Sequence, residues 1–85
     1  MPKTGPVRSQ AEKELIAQLA RLELEESEVS SRRRKVHDRI AIFPSPALLE
    51  AERELSLHRR DLHRRIDATR AELAAMRDSI TVEPA

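Results

Sequence analysis

The residues that break helices cluster at three places in this chain: Pro2, Gly5 and Pro6 near the start, Pro44 and Pro46 at the middle, and Pro84 near the end. Gly5 is the sole glycine. Two unbroken windows remain, 9–43 and 46–80, both rich in Glu, Arg, Leu and Ala, which form helices readily. Ser9 with Glu12 has the spacing of a capping box at the first start. Ser45 before Pro46 suits an N-cap followed by proline at the first helical position. The spacing predicts helices over 9–43 and 46–80, each about 50 Å long at 1.5 Å per residue. The turn falls at 43–45, and 1–8 and 81–85 are expected to be loose tails. So short a connection makes the helices antiparallel neighbours.

Apolar residues recur in alternating steps of four and three. The first stripe is Leu15, Leu19, Leu22, Glu26, Val29, Arg33, Val36, Ile40 and Phe43. The second is Leu48, Glu52, Leu55, Arg59, Leu62, Ile66, Thr69, Leu73, Met76 and Ile80. That pattern is the seam of a coiled coil, so the fold class is all-α, an antiparallel coiled-coil hairpin. Each seam is interrupted alike, by a Glu and then, seven residues later, an Arg. Placing such groups in a seam costs several kcal/mol unless they are paired or serve a ligand.

Composition removes several functions. There is no Cys, Trp or Tyr and one Phe, so no thiolate metal site, thiol nucleophile or stacking platform for single-stranded nucleic acid can be built. So few large apolar side chains cannot wall off a catalytic pocket, and neither a Gly-rich phosphate loop nor a credible triad is present, which argues against an enzyme. His37, His58 and His63 lack the i, i+4 spacing of a paired metal ligand. The basic runs lie mid-helix opposite acids and the net charge is +1, so direct DNA binding is not expected. No apolar run is long enough to span a membrane, and the start, Met-Pro-Lys-Thr-Gly-Pro, has no signal-peptide core, so the expected location is the cytoplasm.

Sliding the chain on itself by 26 residues superimposes 26–41 on 52–67 with eight identities in sixteen. The shared polar line is Glu26, Ser30, Arg33 and His37 in the first copy and Glu52, Ser56, Arg59 and His63 in the second, which alone continues to an acid, Asp67; the first has Ala41 there. At 100° per residue each line forms a ribbon along one side of its helix, within an arc of about 80°. If facing residues have numbers summing to 89, then Glu26 meets His63, Ser30 meets Arg59, Arg33 meets Ser56 and His37 meets Glu52. This register also sets the basic stretches 32–39 and 59–65 opposite glutamates, as complementary seams require.

The chemistry of the ribbon suits an anionic purine nucleotide. Arg59 can grip a phosphate or the O6/N7 edge of guanine, and Asp67 can accept the N1–H and N2–H of guanine. Ser56 offers a hydroxyl close to the helix, His63 can donate to a phosphate or orient a Glu, and Glu52 can fix an Arg or accept a base amine. Arg60 and Arg64 can add charge toward phosphates. Arginines left unpaired in an empty site should repel one another, with ligand relieving the strain.

The line Glu52-x3-Ser56-x2-Arg59-x3-His63-x3-Asp67 resembles the Glu-x3-Ser-x2-Arg-x3-Gln-x3-Asp signature of the RsiG family of actinobacterial anti-sigma factors, with His63 in place of Gln. Glu26, Ser30, Arg33 and His37 repeat it without the final Asp. The resemblance implies an antiparallel coiled coil that binds an intercalated dimer of cyclic di-GMP along one side and, so loaded, holds a WhiG-like sigma factor away from RNA polymerase. It also implies two forms. A single complete motif points to a homodimer whose second helices pair into a helical bundle, and this is the form expected; the alternative, to which the symmetric partial copy points, is a monomeric twin-motif hairpin. Ile16, Leu24, Ile42, Leu49 and Leu57 lie off the seam and are candidate contacts for the protein partner. The competing expectation is a structural coiled-coil adaptor without a nucleotide.

Overall fold

A computed structural model describes residues 9–81, with side chains through residue 78. It contains two helices, α1 (Gln10–Ile42) and α2 (Pro46–Thr81), packed along their length as a helical hairpin. The expected tails, apart from Thr81, lie outside the described residues, as does the side chain of Ile80.

Local chemistry sets the helix ends. Ser9 Oγ accepts the Glu12 amide at 3.1 Å, an N-cap bond. The other half of the expected capping box is diverted: the Glu12 carboxylate is buried and pairs with Arg77 of α2 at 3.5 Å. Ser45 Oγ accepts the Leu48 amide at 3.2 Å, and its carbonyl accepts the Leu49 amide at 3.0 Å. Phe43 closes α1 with its amide on the Arg39 carbonyl, at φ −149° and ψ 76°.

The core is a short apolar strip formed by Leu22, Val29, Leu62 and Ile66, flanked by Leu19 and Leu55, with Leu73 buried further along α2. Thr69 is buried among them; its hydroxyl donates to the Arg65 carbonyl at 2.8 Å and accepts from Gln18 at 3.4 Å. One seam assignment fails. Phe43 is 76% exposed rather than packed, because it is the cap residue and its backbone has left the helical path that the periodicity assumes. Burial therefore concentrates away from the turn, where Ile40 and Leu48 are half-buried and Ile42 is exposed.

Candidate functional site

The four polar interruptions of the seam form two matching cross-helix clusters. In the first, Ser30 donates to Glu26 Oε2 at 2.8 Å and accepts from Arg59 Nε at 2.9 Å. Arg59 Nε lies 3.3 Å and His63 Nε2 2.9 Å from that same carboxylate oxygen. In the second, Ser56 donates to Glu52 Oε2 at 2.7 Å and accepts from Arg33 Nε at 2.8 Å. Arg33 Nε lies 3.4 Å and His37 Nε2 3.1 Å from Glu52 Oε2. The four facing pairs inferred from the repeat are all in contact, and the two clasps are related by a pseudo-twofold axis across the hairpin.

The clasp explains how charge sits in a seam. A small Ser one turn after the Glu lets the long Arg of the other helix reach across, and one Oγ both donates and accepts. An ionised carboxylate only accepts, so His37 and His63 each present Nε2–H to it. These donors hold both carboxyls below their ordinary value of 4.5; for Glu26 the largest cause is the His63 hydrogen bond, and for Glu52 the Ser56 hydrogen bond. One expectation is thereby corrected. Arg33 and Arg59 are not unpaired, and the empty ribbon is neutralised rather than self-repelling. Glu52 serves to fix an Arg, and the Arg it fixes is Arg33; Arg59 belongs to the opposite clasp with Glu26.

The remaining ribbon residues behave differently. Asp67 is exposed, with no hydrogen bond or ion pair among the described residues. It lines a groove of about 360 Å³ with Glu23, Glu26, His63, Ile66 and Arg70. Arg70 spans this groove's end to Glu23 at 2.7 Å, a pair that neither the repeat nor the facing-residue sum of 89 marks in the sequence. Arg64 turns to Asp61 of its own helix at 3.3 Å, away from the ribbon, whereas Arg60 is exposed beside Arg59. His58, which aligns with Arg32 in the repeat and lies outside the shared polar line, contacts Glu25 at 3.0 Å. Among the described residues no cluster of acids and histidines could hold a metal ion, and no helix is long and apolar enough to cross a membrane.

No protein-family model, no curated protein and no solved structure matches the chain.

Proposed function

We propose that the hairpin is a cyclic di-GMP-dependent anti-sigma factor, a cytoplasmic binding protein and not an enzyme. The observation that carries this reading is the pair of equivalent Glu-Ser-Arg-His clasps, set side by side on one face and followed at one end by the unpartnered Asp67. Each clasp engages its Arg through Nε, and Arg33 and Arg59 remain 34% and 40% exposed, so the outer Nη donors can meet phosphate or the guanine O6/N7 edge. Asp67 supplies an acceptor for a guanine N1–H and N2–H. An intercalated ligand dimer stacks on itself, which suits a protein without aromatic platforms. The loaded face then presents guanine and phosphate surface to a WhiG-like sigma factor, in a monomeric hairpin or a homodimer.

Calorimetric titration of cyclic di-GMP, with and without the sigma factor, tests this. Arg59→Ala and Asp67→Ala are each expected to weaken ligand binding by about 1–3 kcal/mol, the size of a good bidentate base contact. Absence of binding in both titrations refutes the reading.

One observation favours a second reading, a structural coiled-coil adaptor: every repeated signature residue already has a partner within the hairpin. On that reading, loss of a clasp leaves partner binding intact.

A further inference from the structure

The groove beside Asp67 holds a cation that the clasp does not use. Glu26 and His63, which line it, are committed to the clasp. That leaves Asp67, Arg70, Glu23 and the apolar Ile66. Asp67 and Arg70 are three residues apart on one face of α2 with the acid first, the favourable order for an ion pair within a helix. They do not join. Arg70 Nη2 reaches across to Glu23 Oε2 on α1 at 2.7 Å, and Asp67 keeps no partner among the described residues. Glu23 thus holds Arg70 off Asp67. The Arg70–Glu23 pair is 58% and 45% exposed, and exposed pairs add little to stability. Its effect on the groove is larger, because it sets a free acceptor beside a fixed donor.

The three charged residues are also present or absent together. The pseudo-twofold axis carries Glu26, His63 and Ile66 onto Glu52, His37 and Ile40 of a turn-side groove. The clasp is kept there, yet Asp67, Glu23 and Arg70 become Ala41, Leu49 and Pro44. A clasp forms equally well without the trio, so the trio has another task. A carboxylate that only accepts, next to a fixed guanidinium, matches the Watson–Crick edge of guanine, which offers two adjacent donors, N1–H and N2–H, and then the acceptor O6. Adenine offers the carboxylate a single amine and has no exocyclic oxygen for an Arg. We propose that Arg70 is a specificity-determining residue of the nucleotide site, donating to guanine O6 through the N–H groups Glu23 does not take, while Asp67 accepts N1–H and N2–H and Glu23 positions Arg70. This rests on the function proposed above. The groove, at about 360 Å³, lies at the lower end of ligand clefts, and Ile66 gives it an apolar patch for the face of one base.

Calorimetry with cyclic di-GMP and with cyclic di-AMP, each with and without the sigma factor, separates base reading from charge. The wild-type chain should prefer cyclic di-GMP. Arg70→Gln changes an exposed position, and circular dichroism checks that the hairpin persists. It should lower cyclic di-GMP affinity by at least about tenfold, the size of a base-edge contact, and leave cyclic di-AMP affinity within about twofold. Glu23→Gln should lower the same preference, because Arg70 then turns onto Asp67. Glu23→Gln/Arg70→Gln should bind cyclic di-GMP no more weakly than Glu23→Gln alone, since Asp67 is free again. An equal loss for both nucleotides in Arg70→Gln would make Arg70 a phosphate contact and overturn the proposal. Full cyclic di-GMP affinity in that variant, or a wild-type chain without preference, overturns it as well. A full preference in Glu23→Gln overturns the positioning role. A wild-type chain that binds neither nucleotide refutes the proposed function and this role with it; one that binds cyclic di-GMP with a preference neither variant moves refutes only the roles of Arg70 and Glu23.

Discussion

Replacing both seam members of one clasp, Glu26→Leu/Arg59→Leu, sets stability against function. Their side chains are 23% and 40% exposed, so leucines there would be largely buried. Full burial of a Leu is worth about 1.5–3 kcal/mol, which makes the partial burial here worth about 1–2 kcal/mol at each position. Against this stand the lost bonds of Ser30, about 1 kcal/mol because water can replace them, and an ion pair worth about 0–1 kcal/mol. The net expectation is a hairpin more stable by about 1–2 kcal/mol, or about 5–10 °C in melting temperature for a chain of this size. Thermal melts followed by circular dichroism read the first quantity; calorimetry with cyclic di-GMP reads the second, where binding should vanish. A destabilised variant would refute the claim that the clasp costs stability relative to an apolar seam. A stabilised variant that binds nucleotide normally would refute the role of the clasp in ligand binding, and one that also keeps its protein partner would establish the adaptor reading.

Other consequences follow from the same geometry. Leu62→Ala, at a position 1% exposed in the middle of the apolar strip, should cost about 2–4 kcal/mol in urea unfolding, whereas Leu57→Ala at an exposed position should cost under about 0.5 kcal/mol. Ser45→Ala removes the cap on α2 and should cost about 1 kcal/mol in the same assay. Glu26 and Glu52 are held below 4.5 in the folded chain, so the unfolded chain takes up their protons first as acid is added. Their contribution is complete above that ordinary value and is lost as pH falls through the lower folded values. Urea midpoints measured from about pH 6 to about pH 3 should therefore decline, and Glu26→Gln/Glu52→Gln should flatten that decline.

The helices and their register were legible in the sequence because breakers and repeat both point to the same place. Proline bounds each helix, and a repeat offset of 26 across a turn at 44–45 leaves one symmetric way to fold the hairpin. Periodicity could not reach Phe43, since it describes only residues on a helical path. The same register holds one further contact: 12 and 77 also sum to 89, and Glu12 pairs with Arg77. The local capping spacing of Ser9 and Glu12 masks that contact, and only the Glu12 amide takes part in the cap. Arg70 with Glu23 departs from that sum and carried no such signal.

The state of the arginines was less accessible, and it bears most on mechanism. Spacing places Arg33 and Arg59 on the ribbon but cannot say which edge of the guanidinium turns inward. The structure turns Nε inward onto Ser and Glu. On the proposed function, a ligand therefore gains nothing from relief of repulsion, and its affinity would come from the outer Nη donors and from Asp67. It follows that the empty hairpin is a folded, preorganised surface, and that on the proposed function nucleotide should stabilise it only by mass action, by about 2.7 kcal/mol at a hundredfold excess over Kd, read as a rise in melting temperature. Preorganisation also explains why Ser recurs in both copies. A longer side chain would push Arg away from Glu, and Ala would leave Nε only the more distant Glu oxygen, loosening the fork just where, on the proposed function, a fixed geometry would distinguish guanine from another anion.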